Sequence, residues 1–287
     1  MTHTVDEAYR EAAREAVQRA LAEDRAVEDV TTLAIVPDDA RNRGRLLFRE
    51  PAVLAGTLLF DEAFWALDPG IAIVWLRREG ERVGAGETVC RVAGAASALL
   101  RAERVALNFI MRLSGVATLT ARFVEAAGGR VEILDTRKTT PGLRILEKAA
   151  VRAGGGTNHR TSLADLALIK ENHITAAGGI RAAVEAVRRR SPEIGIEVEV
   201  RNLEELEEVL PLRVEKVMLD NFETEAVRAA VGRIRREAHR PYIELSGGMN
   251  LEKVREAAAL GADGISIGAL THSAPAANVS FLIEAVA

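Results

Sequence analysis

Cysteine is almost missing from this chain of 287 residues: Cys90 stands alone. That excludes an internal disulfide and a thiolate metal cluster, and it suits a reducing cytoplasm. Nor is there an excess of positive charge. With 38 basic and 42 acidic residues the formal net charge is −4, so the chain as a whole is not a nucleic-acid binder and any positive site must be local. No apolar run approaches membrane-spanning length. The first residues, Met1 to Glu7, are acidic and lack an apolar core, which is not the pattern of a signal peptide. Lysine is scarce too. Only Lys138, Lys148, Lys170, Lys216 and Lys253 are lysines among the 38 basic residues. Against that background a lysine beside an arginine, or at a strand end, reads as a choice of a compact ammonium.

What is present is an ordinary soluble composition, 48% hydrophobic and 28% charged. The length allows a large core in one or two domains. Residues 5–22 carry the period of an amphipathic helix, with Val5, Ala13, Val17, Ala20 and Leu21 toward the core. Asp29-Val30-Thr31-Thr32 is a cap or turn. Short strands follow at 45–49, 52–56 and 72–76, and the turn-rich stretch 79–87 implies hairpins. Residues 97–127 predict a long helix with a break near Ser114-Gly115. This first part reads as a small α+β domain.

After Gly129 the rhythm changes. Apolar strands at 131–134, 166–169, 196–200, 216–219, 242–245 and 264–267 alternate with helical segments such as 179–190, 202–210 and 250–260. Alternation of this kind predicts parallel strands with crossover helices. Polar and glycine residues recur where the strands end: Asp135, Arg137 and Lys138, then Lys170, Glu197 and Glu199, Asp220-Asn221, Ser246-Gly247-Gly248, and Gly268. In a parallel α/β barrel that rim is where sites are built, so a barrel is favoured over an open sheet.

Arg137, Lys138, Arg160 and Lys170, with His159, suit a small molecule carrying several negative charges. Paired surface cations are the alternative, and for Arg144 and Arg152 that is the better reading. Glu199 and Asp220 are hard carboxylates that suit Mg²⁺ held jointly with phosphate oxygens, or a developing sugar cation. They could instead only neutralise the cations. Ser246-Gly247-Gly248 and Ile267-Gly268-Ala269 through His272 offer bare amides for a phosphate. Gly154-Gly155-Gly156 reads as a flexible turn presenting His159 and Arg160, and His173 as a capping or core residue. Zinc spacing, a P-loop and a dinucleotide fingerprint are all missing.

At these residues the chain resembles the quinolinate phosphoribosyltransferase family. The resemblance is carried by 102–109, 113–118, 135–142, 154–160, 169–173, 217–222, 244–248 and 268–273, in family order over nearly the whole chain. It implies an α/β fold: an incomplete α/β (TIM-like) barrel at 113–272, an N-terminal α+β sandwich domain at 1–112, and a tail at 273–287 packing back on that domain. It implies phosphoribosyl transfer from phosphoribosyl pyrophosphate to quinolinate, giving nicotinate mononucleotide, pyrophosphate and CO₂ with Mg²⁺. Arg137, His159, Arg160 and Lys170 would hold the two carboxylates, joined by Arg104 from a partner subunit of a homodimer. Lys138, Glu199 and Asp220 would serve the phosphoribosyl group and its metal, directly or through water. Thr136, Ser246, Gly247, Gly248, Ile267, Gly268, Ala269 and His272 would complete the substrate site. Association of dimers into a hexamer is left open.

The chain departs from the family pattern at Ala149, at Ser162 and at 23–29, where two glycines are missing. A related molybdenum-transport-associated protein and a non-catalytic anion sensor are the alternatives. The intact Asn158-His159-Arg160 and Ile169–His173 blocks favour the quinolinate enzyme over the first, and the carboxylate pair argues against the second.

Overall fold

A computed structural model describes residues 2–285, with side chains from 7 to 284. In chain order the elements are α1 (Thr2–Glu23), α2 (Val30–Ile35), β1 (Arg41–Phe48), β2 (Ala52–Val53), α3 (Thr57–Trp65), β3 (Ala72–Trp75), β4 (Arg82–Val83), β5 (Thr88–Ala95) and α4 (Ala96–Ala127). Then come β6 (Glu132–Leu134), α5 (Arg144–Ala153), β7 (Ala167–Ile169), α6 (Glu171–Ala177), α7 (Ile180–Arg190), β8 (Ile196–Val200) and α8 (Leu203–Val209). The chain closes with β9 (Lys216–Asp220), α9 (Thr224–Ile234), β10 (Tyr242–Ser246), α10 (Leu251–Ala257), β11 (Gly264–Ser266), α11 (Ala269–His272) and β12 (Val279–Ala285). Two compact units emerge. The first holds 1–121, 139–155 and 270–287; the second holds 122–138 and 156–269.

The first unit is α+β. Its four-stranded sheet runs β12-β1-β5-β3, all antiparallel, beside the two-stranded pair β2-β4. Much of the chain's small aromatic complement is spent here. Phe60 packs edge-on to Phe64 at 4.9 Å and to Trp75 at 5.3 Å, and Phe64 lies 5.5 Å from Phe281 of β12. Gly44 in β1 leaves room for the tip of the Phe281 ring: a Cβ there would sit 2.1 Å from Cζ. Ala13 and Val17 of α1 are buried and Ala20 and Leu21 half-buried, as the period requires; the Val5 side chain lies outside the described residues. Asp29 caps α2, accepting from the Thr31 and Thr32 amides. In the glycine-poor stretch before it, Arg25 takes the left-handed turn at φ 50°.

The expected break in α4 does not occur. Ser114 does not compete with its own helix, because its hydroxyl donates to Ala55 O (3.1 Å) and accepts from Ala55 N (3.0 Å). Gly115 is there for closeness: a Cβ would lie 2.1 Å from Pro275 O. Nearby, the fully buried Glu147 of α5 takes Arg112 Nε at 3.0 Å and Nη2 at 2.7 Å, and also the Thr140 amide at 3.0 Å. Arg112 in turn donates to the Ala274 and Thr271 carbonyls. Gly154 ends α5 against α4, where a Cβ would meet Ala117 O at 2.3 Å.

The second unit is a six-stranded, all-parallel sheet in the order β6-β11-β10-β9-β8-β7, with crossover helices between strands. Past the glycine run at 154–156 the chain is tied down rather than flexible, contrary to the sequence expectation. Thr157 bridges Leu134 in parallel, its amide donating to Ile133 O at 2.8 Å. A one-residue bridge has no apolar run to betray it. No ladder joins β6 to β7 among the described residues. Among the described residues no helix is long and apolar enough to cross a membrane.

Candidate active site

Register decides which side chains meet. Ladder partners share a face, and so do residues two apart on one strand. Leu168 is paired with Glu197, and Glu197 with Lys216. Glu199 pairs with Met218, Met218 with Glu244, and Asp220 with Ser246. Glu244 pairs with Gly264, which places Ser266 on that same face. One face of the sheet therefore carries Glu197, Glu199, Asp220, Glu244, Ser246 and Ser266, although apolar neighbours separate each of them in sequence.

A cavity of about 300 Å³ opens on this face. It is lined by Asp135, Thr136, Arg137, Lys138, His159, Arg160, Leu168, Lys170, Met218, Glu244, Ser246 and Ser266, all from the second unit. Its walls include Leu168 of the edge strand β7 and Asp135, the residue that directly follows the other edge strand, β6. In a flat six-stranded sheet about 4.8 Å per strand would hold those edges roughly 24 Å apart. The sheet therefore curls until its two edges line one pocket.

The cations in the pocket are only partly matched. Arg160 Nη1 donates to Leu166 O at 2.9 Å, but Arg160 Nε and Arg137 Nε are buried and meet no acceptor. Burial, and then the nearby charge of Arg137, pull the Arg160 guanidinium below its ordinary pKa. Lys170 forms an ion pair with Glu199 across β7 and β8. Asp135, fully buried, accepts from the His159 amide (2.9 Å) and from Asn158 Nδ2 (2.6 Å), and so pins the segment that carries His159 and Arg160. His173 is a cap, not a core residue: its Nδ1 accepts the Lys170 amide at 3.0 Å at the start of α6. Asp165 closes the turn before β7, accepting from the Thr161 and Ser162 amides and the Ser162 hydroxyl.

His159 Nε2 lies 2.9 Å from Glu197 Oε2 and 3.3 Å from Glu244 Oε2, and both glutamates have no exposed surface. Its Nδ1 accepts the Arg160 amide at 2.8 Å. Burial opposes a charged ring, but the two facing carboxylates outweigh it and lift the imidazole up to about 9. The Arg160 amide works the other way, since a second proton on Nδ1 would meet its N–H. Burial raises the Glu197 carboxyl, and the His159 hydrogen bond offsets part of that rise.

Of the residues singled out in the sequence, the cavity gathers Thr136, Arg137, Lys138, His159, Arg160, Lys170 and Ser246. Glu199 touches it through Lys170, and Asp220 sits beside Ser246 in the ladder. Gly247 has φ +106°, and a Cβ there would lie 2.1 Å from Asn221 Oδ1, so that position has room for glycine alone. Gly248, Ile267, Gly268 and Ala269 do not line the cavity, and His272 is exposed with Nδ1 2.6 Å from Ser273 Oγ. Arg104 is exposed on α4 in the first unit. Glu244 was missed as a site residue, and Glu197 was noticed without a role. The available signal was an acid set between two apolar neighbours inside a strand, Ile243-Glu244-Leu245 and Ile196-Glu197-Val198.

Two family models cover most of the chain: the quinolinate phosphoribosyl transferase N-terminal domain at residues 29–114 and its C-terminal domain at 116–281. The chain belongs to the quinolinate phosphoribosyltransferase family. Among its relatives is the nicotinate-nucleotide pyrophosphorylase [carboxylating] of Mycobacterium leprae, 44% identical over 269 residues, which are 92% of this chain and 94% of that protein. The chloroplastic protein of that name from Arabidopsis thaliana is 40% identical over 292 residues, covering 93% and 82%. The solved nicotinate-nucleotide pyrophosphorylase from Francisella tularensis superposes with a TM-score of 0.91 at 37% identity, covering 96% of this chain and 97% of that one. NadC from Streptococcus pyogenes gives the same score and identity over 95% and 96%. Family members thus share the α/β architecture over nearly full length, from the small N-terminal sheet to the six-stranded parallel sheet.

Proposed function

We propose that the protein transfers the phosphoribosyl group of phosphoribosyl pyrophosphate to quinolinate and decarboxylates it, giving nicotinate mononucleotide, pyrophosphate and CO₂ in NAD biosynthesis. One observation carries this reading: two buried arginine Nε donors, on Arg137 and Arg160, without acceptors in a cavity that also holds Lys138 and Lys170. A buried, unmatched cationic donor is costly unless a ligand supplies the acceptor. The names of the relatives, carboxylating pyrophosphorylases and decarboxylating quinolinate phosphoribosyltransferases, support the same ligand.

In this reading Arg137, Arg160 and Lys170 hold the two ring carboxylates, His159 lines the pocket with its ring nitrogens already engaged by Glu197 and the Arg160 amide, and the partner subunit's Arg104 closes the site. The ring nitrogen attacks the anomeric carbon as the bond to pyrophosphate breaks. Glu199 and Asp220, on neighbouring strand ends and one sheet face, favour the oxocarbenium-like sugar. As hard carboxylates they also fit Mg²⁺, directly or through water, which when bound supplies neutralising charge to the departing pyrophosphate. Lys138 and the turn 246–248, with Thr136, Ile267, Gly268, Ala269 and His272, serve the phosphates. The cations beside the ring then favour loss of CO₂, because they stabilise the electron pair left on the ring carbon until a proton replaces it. In this reading the Lys170–Glu199 ion pair joins a residue of the dicarboxylate half to one of the sugar half.

A homodimer fits the exposed apolar residues Val27, Val30, Leu33 and Ile35, which a partner would cover. A cytoplasmic location fits the single cysteine. The test is incubation with quinolinate, phosphoribosyl pyrophosphate and Mg²⁺, with CO₂ and nicotinate mononucleotide measured. Both should form in equal amounts. Binding without product would favour an anion sensor instead.

A further inference from the structure

Glu197 and Glu244 are buried at zero exposure between apolar neighbours, and Glu197 Oε1 and both Glu244 oxygens meet no hydrogen-bond donor. Apolar side chains of similar volume would stabilise these strand positions better. Folding alone does not account for them. They come from β8 and β10, which β9 separates in the sheet, yet they converge on one atom, Nε2 of His159.

A metal ion is the first reading that a His–Glu–Glu group invites, since their ligand atoms lie within 4.8 Å of one another. The other ring nitrogen argues against it. A neutral imidazole that binds a metal through Nε2 must carry its proton on Nδ1. Here Nδ1 faces a donor, the Arg160 N–H at 2.8 Å. The ring therefore bears its proton on Nε2, aimed at the glutamates.

We propose that Glu197 and Glu244 are positioning residues for the dicarboxylate half of the site. Glu197 accepts from His159 Nε2 at 2.9 Å and the Glu244 carboxylate, 3.3 Å from the same atom, adds negative charge, so the proton is held on Nε2 and Nδ1 is turned to accept the Arg160 amide. The backbone that carries Arg160 into the cavity is thereby fixed. The role rests on quinolinate as the occupant of this cavity. It makes the two glutamates determinants of quinolinate affinity, with no part in holding the phosphoribosyl donor.

Two measurements on the full-length protein test this. The first is NMR of the ¹⁵N-labelled imidazoles, with the His159 signals assigned by their loss in His159→Asn. Neutral wild-type protein should show His159 protonated on Nε2. A ring protonated on Nδ1 alone overturns the proposal, whether or not the enzyme forms product. The second is kinetics of Glu197→Gln, Glu197→Ala and Glu244→Gln. The alanine variant should raise the quinolinate KM by about ten- to a hundredfold and leave that for phosphoribosyl pyrophosphate unchanged. Glu197→Gln should lie between it and wild type, because the amide oxygen still accepts from Nε2. Glu244→Gln should raise the quinolinate KM alone. Folded variants that keep the quinolinate KM, or that raise both KM values together, contradict the role.

Discussion

Arg137 and Arg160, carried by different segments of the chain, stand close enough that the charge of Arg137 depresses the ionisation of Arg160, and each keeps a buried Nε with no acceptor. Like charges brought together and left unmatched destabilise a folded chain. A dianion between them would relieve both problems. Replacing Arg137 or Arg160 by methionine, which keeps much of the stem, should therefore weaken quinolinate binding. The loss of one charge-assisted bond, about 1.5–3 kcal/mol, corresponds to roughly a ten- to 150-fold rise in Kd. Isothermal titration of each variant checks this, and thermal stability should not fall.

Lys138→Ala and Lys170→Ala should each lose about two orders of magnitude in turnover while remaining folded. For Lys170 the loss has two sources, the missing cation and the freed Glu199 carboxylate. Single-turnover assays with near-ultraviolet circular dichroism separate lost chemistry from lost structure.

In the first unit, Glu147→Ala would leave Arg112 without its carboxylate partner and empty a fully buried site. The expected cost is about 3–5 kcal/mol of unfolding free energy. Urea titration reads this directly. Ile145→Ala on the exposed side of α5 is the control and should change little.

The sheet was legible wherever period and apolarity agreed. Strand β8 begins and ends at the residues expected, because Ile196-Glu197-Val198-Glu199-Val200 alternates cleanly. The cationic cluster was legible because cations and glycines at strand ends have few structural uses. What escaped depended on partners distant in the chain. Gly115 looked like a helix breaker because the Pro275 carbonyl it admits lies 160 residues away. The Thr157 bridge has no pattern of its own. Glu197 and Glu244 gained a meaning only when ladder register brought them to one imidazole.

A cavity built for two carboxylates on one ring must discriminate against an acid that carries only one. Isothermal titration of the wild-type protein with quinolinate and, separately, with nicotinate, which lacks one of them, tests it most directly. Quinolinate should bind tighter by at least about tenfold, the worth of one charge-assisted contact. Equal affinity for the two acids would contradict it.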